Sequence, residues 1–155
     1  MLRKVVLFLA LFFVALTSGA AFAVWLDSSP FGLSPNFYAE KMQHAIRVFT
    51  IPLNTVASRG VLFVFISTFR ARHDRFSFYL LIAASTCAIA ATLITIFGNV
   101  PIINQMMTWN ISSLPPNSME VGEKWWWYQT MRVILTVAEL SLLTVSVIVR
   151  REISR

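Results

Sequence analysis

The chain has 155 residues, 57% of them hydrophobic and 13% charged, with a formal net charge of +6. Soluble domains run nearer ~25% charged, so this is the composition of a membrane protein, and the length allows one domain. The basic residues sit in short clusters between apolar runs, as topology signals do and a nucleic-acid surface does not. The single cysteine, Cys87, excludes an intramolecular disulfide, a CxxC redox pair and a Cys-based metal site.

Four apolar segments are predicted to span, at about 5–26, 47–69, 76–98 and 126–149, each close to the ~20 residues a ~30 Å hydrocarbon core requires. Arg3 and Lys4 precede the first, and Ala21-Phe22-Ala23 closes it. That arrangement also reads as a secretory signal that would remove residues 1–23. Ser18-Gly19-Ala20-Ala21 in the same run suits close helix packing in lipid. In the long segment that follows, 27–46, Tyr38, Met42, Ala45 and Phe49 recur at helical spacing, which predicts an interfacial helical stretch running into the second span. Arg70, Arg72 and Arg75 fill the short link to the third span. The next long segment, 99–125, is expected to be irregular around Pro101, Pro115 and Pro116. Trp109, Trp125, Trp126 and Trp127 fit an aromatic belt. Arg150, Arg151 and Arg155 end the chain. The basic clusters put both termini in the cytoplasm. The expectation is an all-α bundle of four transmembrane helices in a bacterial inner (plasma) membrane, with two long outer loops.

Arg59, Arg132 and Glu139 lie inside these apolar segments, where an ionised side chain costs at least ~2.5 kcal/mol unless it is paired or faces a polar cavity. Trp125, Gln129, Arg132, Thr136 and Glu139 alternate by four and three, which sets them on one helical face. Arg59 precedes Arg70, and Glu139 precedes Arg150, by eleven residues each, so both lie ~16 Å from the cytoplasmic boundary. An Arg59–Glu139 ion pair is therefore expected. Two readings of it stand. It ties the second and fourth helices together, or it borders a cavity that Asn54, Ser58, Thr92, Thr95 and Asn99 help to line. His44 and His73 fall on opposite sides of the membrane, against a bis-histidine haem or a histidine-rich metal centre. His73 reads as a solvated loop residue, and His44 as a solvated residue or a base. No metal and no cofactor is expected.

Gly98-Asn99-Val100-Pro101, Asn104, Trp109, Pro115-Pro116, Trp125 and Arg132 resemble the second half of a bacterial and fungal four-helix membrane family named for the anthrone oxygenases. Tyr38-Ala39-Glu40, Met42-Gln43 and Pro52 resemble its first half. The resemblance implies four membrane helices with the matching residues at the outer end of the bundle. For fungal members it implies oxidation of a polycyclic anthrone to an anthraquinone by dioxygen, without flavin or haem. Such chemistry needs a base to form the carbanion or phenolate and a cation to hold it. Many family sequences carry a histidine where this chain has Gln129, and an asparagine where it has Ile103. Gln129 supplies no base near neutral pH, so His44 or Glu139 would have to.

Three function classes follow. An enzyme would act on an apolar aromatic or lipid-like molecule at an outer polar pocket, with Arg132, Gln129 and His44 as catalytic candidates and Asn99, Asn104, Trp109 and Trp125 as binding candidates. An accessory protein would use its charged stripe to bind a membrane-protein partner or a second copy. A small transporter would use Glu139 as a proton-coupled carboxylate. The bilayer is the common partner, and nucleic acid is not one.

Overall fold

The computed structural model describes residues 2–72 and 74–153. His73 and Arg155 lie outside the described residues. Among the described residues five α-helices follow in order: α1 (Leu2–Asp27), α2 (Pro35–Ala71), α3 (Arg75–Ile94), α4 (Val100–Met107) and α5 (Ser118–Ile153). A π-helical turn, Thr95–Asn99, joins α3 to α4. Four helical stretches among the described residues are long and apolar enough to cross a membrane: Lys4–Asp27, Pro35–Ala71, Arg75–Met107 and Ser118–Val149. They run up and down, so α1 begins and α5 ends at one end of the bundle, the end where α2 finishes and α3 starts. The other end carries the 28–34 and 108–117 connections and is called the loop end below.

Each span buries one stripe. On α1 it is Val6, Ala10, Val14, Ser18 and Ala21; on α3 it is Ser77, Leu81, Ala84, Ala88 and Ala91. Steps of three and four place such residues on one side of a helix. Most are small, which lets helix backbones approach in lipid, where no hydrophobic force drives them together. Polar side chains reinforce the seams. Between α1 and α5, Ser18 Oγ donates to the Thr136 carbonyl at 2.9 Å and Trp25 Nε1 donates to Thr130 Oγ1 at 2.8 Å. Between α2 and α3, Thr68 and Ser85 share a 3.0 Å hydrogen bond. Asp74 caps α3 through Ser77, a short acceptor meeting an orphan amide of the first turn.

The elements are longer than the sequence indicates. The interfacial stretch at 38–48 and the second span form one 37-residue helix, ~55 Å long at 1.5 Å per residue. Its loop end therefore stands clear of a ~30 Å core. The third span does not stop at Gly98. Pro101 was expected to hold its segment irregular, yet it occupies the first turn of α4, where a missing N–H costs little. Pro101 cannot donate to the carbonyl four residues back, and the ladder widens just before it: the Val100 N–H bonds to the Thr95 carbonyl. The fourth span begins at Ser118, eight residues before Trp126. Within 99–125, irregular backbone is confined to the 108–117 connection, which holds Pro115 and Pro116 as expected.

Two clusters of buried residues form the core. One, toward the termini, gathers Ala10, Val14, Val64, Ala71, Leu81, Ala84 and Leu143. The other, at the loop end, gathers Tyr38, Ala39, Met42, Ile102, Met106, Trp109 and Trp125. Gln43 ties the loop end together, donating from Nε2 to the Met106 and Trp109 carbonyls at 2.9 and 3.0 Å, so α2 is held to the end of α4 and to the connection that follows it.

Gly122 is where α5 meets Tyr38: a Cβ there would stand 2.5 Å from the ring's Cε1, and Tyr38 is 1% exposed. Gly122→Ala is expected to lower stability by about 1–3 kcal/mol through overpacking. Gly60→Ala, whose Cβ would meet Val14 at an ordinary 3.5 Å, should be neutral or gain up to ~1 kcal/mol of helix preference. Thermal unfolding of the two variants in detergent checks the contrast.

Candidate ligand-binding site

Between the two core clusters the four spans do not close. A cavity of about 460 Å³ lies there, within the ~300–1,000 Å³ range of small-molecule sites. α1 contributes Val14, Thr17 and Ala21; α2 contributes residues from Leu53 to Val61; α3 and the π turn contribute residues from Ala88 to Ile96; α5 contributes Arg132, Thr136 and Glu139. α2 packs more closely on α1 than on α3. The liners Asn54 and Ser58 on one side, and Ile96 and Val100 on the other, are exposed. The cavity thus opens sideways between α2 and α3, toward where lipid would lie.

The electrostatics rest on α5. Its buried stripe runs Gly122, Trp125, Gln129, Val133, Thr136, Glu139, Leu143 and Ser146, so the polar face turns into the bundle. Arg132 and Glu139 are the two ionisable liners. Glu139 is 5% exposed and its Oε1 is buried with no hydrogen-bond partner; Arg132 Nε is likewise buried and unpartnered. Neither has an ion-pair partner among the described residues. They sit seven residues apart, ~10 Å along the helix axis.

The hydroxyls around them are already committed as donors. Thr17, Ser58, Thr92 and Thr95 each donate to the carbonyl four residues back, and Thr136 to that three back. Their oxygens keep acceptor capacity only. The unused donors in the cavity wall are the Arg132 guanidinium and the Asn54 amide. A ligand would therefore put an anionic or carbonyl oxygen at Arg132 and its own donors toward Glu139 and the threonines.

The expected Arg59–Glu139 ion pair does not form. Arg59 is exposed and takes no part in the cavity wall, although its neighbours Ser58 and Gly60 do. Both stand eleven residues from a basic cluster, but Arg59 is turned away from the cavity wall that carries Glu139. Of the outer constellation, Arg132 alone is in the wall of this cavity. Of the catalytic candidates, Arg132 lines the cavity. Gln129 is fully buried beside it, with Nε2 donating to the Ala21 carbonyl at 3.1 Å and Oε1 unpartnered. His44 is exposed on the loop end of α2. Of the binding candidates, Asn99 is buried with both amide atoms unpartnered and Trp125 is buried with Nε1 unpartnered, while Trp109 packs in the loop-end core. Asn104 is exposed. Asn54, Ser58, Thr92 and Thr95 line the cavity, and Asn99 does not. The residue reading missed the apolar liners, Val14, Leu53, Val61, Ile96 and Val100 among them, and the small ones, Ala21, Ala57, Gly60, Ala88 and Ala91. Small residues on successive turns were the signal of the latter in the sequence.

The family model described as anthrone oxygenase matches residues 41–142. The chain belongs to the anthrone oxygenase family. The family match takes in every cavity residue of α2, α3 and α5, and leaves out those of α1. It also spans Gln43, the π turn and Trp125, which fix the loop end above the cavity. Searches of curated proteins and of solved structures returned no match to the chain.

Glu139 carries a buried polar atom without a partner, a state that costs about 1–3 kcal/mol. Glu139→Leu is accordingly expected to raise the melting temperature of the ligand-free protein. A Glu139 held in an internal ion pair would give the opposite sign, a loss of about 3–5 kcal/mol.

Proposed function

We propose that this protein binds an apolar aromatic molecule bearing an ionisable hydroxyl or enol inside its helix bundle and oxidises it with dioxygen, as the family name describes. The observation that carries the reading is the unpaired Arg132 and Glu139 in one cavity with otherwise uncharged walls. Buried ionisable residues in a membrane span are retained for a function or a partner, and here each faces the space a ligand would fill. The ~10 Å between them along α5 leaves room for one ring and its exocyclic oxygen between two contacts of ~3 Å.

In this account Arg132 holds the oxygen of the bound phenolate or enolate, as a preorganised donor in a dry site does. Glu139 accepts the proton from the ring carbon opposite it, acting as general base. For an anthrone the balance is one substrate and one dioxygen giving one anthraquinone and one water: one oxygen atom becomes the new carbonyl and the other leaves with two hydrogens. Gln129 takes the place of the family's usual histidine, and Glu139, ten residues further along α5, takes over the base. Ligand enters from the bilayer through the gap between α2 and α3. The arginine-rich end, with both termini, faces the cytoplasm of a bacterial inner membrane.

The test uses the purified protein in liposomes with 1,8-dihydroxyanthrone, following dioxygen uptake and quinone absorbance. Wild type is expected to turn the anthrone over. Arg132→Met should lose about 1.5–3 kcal/mol of a charge-assisted contact, at least a tenfold drop, at near-normal folded yield. Glu139→Gln should still bind the anthrone but cease turnover. Binding by wild type without turnover would favour a carrier or accessory role, and no binding would overturn the reading.

A further inference from the structure

Arg59 is stranded. It lies eleven residues from Arg70, ~16 Å into a ~30 Å core, and its side chain is exposed on a helix long and apolar enough to span. The α2 residues that line the cavity, Leu53, Asn54, Ala57, Ser58, Gly60 and Val61, occupy the opposite face. Arg59 shares its own face with Val48, Pro52, Thr55 and Leu62, all exposed and spaced by three and four as neighbours on one stripe. α2 is also the least enclosed span: 11% of its apolar window is buried, against 28% in each of the other three.

That face is more polar than lipid contact requires. Pro52 cannot donate to the Val48 carbonyl, which leaves an acceptor there. Thr55 Oγ1 donates to the Ile51 carbonyl at 2.8 Å, and keeps acceptor capacity. One turn further stands the Arg59 guanidinium, with no ion-pair partner among the described residues. A charged side chain in hydrocarbon is costly and pairs, as a rule, with another group.

We infer that this face of α2 docks a membrane helix of another protein, one that carries an Asp or Glu at mid-bilayer depth to pair with Arg59. Charge complementarity selects the occupant. A lipid phosphate is too far: snorkelling serves residues near helix ends, and Arg59 is three turns from its nearer boundary. A second copy docked symmetrically would set the same patch against itself, Arg59 against Arg59. The chain's own mid-depth carboxylate, Glu139, is buried inside the bundle and is not offered to a neighbour. This inference is independent of what the cavity binds.

A photoreactive benzoylphenylalanine at Leu62, one turn from Arg59, tests it in membranes of the cell that naturally makes the protein, with the cross-linked peptide read by mass spectrometry. The expected product is one discrete adduct to a membrane helix containing Asp or Glu. Arg59→Leu should reduce that adduct at least tenfold, and exchanging charges, Arg59→Glu with the partner's carboxylate changed to Arg, should restore it. Arg59→Leu should leave the melting temperature of the purified protein in detergent unchanged. Adducts to lipid alone, to a second copy, or to a helix without a carboxylate would overturn the inference. So would an adduct that persists in Arg59→Leu, or a melting temperature that falls with it.

Discussion

Hydrocarbon does not solvate charge, and the α5 helix carries both a guanidinium and a carboxylate through it. Every neighbouring element is arranged around enclosing that stripe. Ser18, Ala21 and Trp25 on α1 receive it through hydrogen bonds to Thr136, Gln129 and Thr130. Alanine and serine on α3 bring a second backbone close to it. A buried polar network is favourable only when all its members find partners, and this one stops short. Arg132 and Glu139 are enclosed by protein without being satisfied by it. A fold selected for stability alone would have filled the space with leucine. In the proposed function a bound ligand completes the interactions that the network leaves open.

The position of that place follows from the two cores. Toward the termini, small and branched residues close the bundle. At the loop end, aromatic and methionine side chains close it again, with Gln43 holding α2 to the end of α4. The π turn belongs to this second closure. It sets Gly98 so near α5 that a Cβ would stand 2.8 Å from the Tyr128 ring, and π turns recur at functional sites. Between the two closures the helices enclose a chamber that is charged on one wall and uncharged on the others. It opens sideways between α2 and α3, where its liners are exposed. Such a chamber suits a molecule that partitions into the bilayer and carries one acidic group.

Much of this was legible in the sequence. Hydropathy alone locates the four spans, because nothing but a helix satisfies its own backbone in lipid within twenty residues. The four-three alternation from Trp125 to Glu139 locates the inward face of α5. The partner of Glu139 was misread, because equal depth says nothing about rotation. One residue's shift turns a helix by a hundred degrees, and Ala57 and Gly60, the small residues beside Arg59, carry the buried phase of α2. Attention to residue size, over charge, would have turned Arg59 outward. His44 and Asn104 stand outside the cavity wall for a related reason: they are polar residues on exposed faces, where polarity needs no further cause. The merging of 38–48 into one long helix was foreseeable from its periodicity. The π turn was not, since it depends on Pro101 acting together with the approach of Tyr128.

A structure of the protein in lipid nanodiscs with 1,8-dihydroxyanthrone bears most directly on the central claim, that the bundle keeps a charged chamber open for a ligand. The account requires density in the chamber between α2 and α3, with an oxygen within ~3 Å of the Arg132 guanidinium and the Glu139 carboxylate facing the far edge of the ring. A collapsed chamber, with Glu139 paired to Arg132 or Arg59 and the anthrone elsewhere, would contradict it.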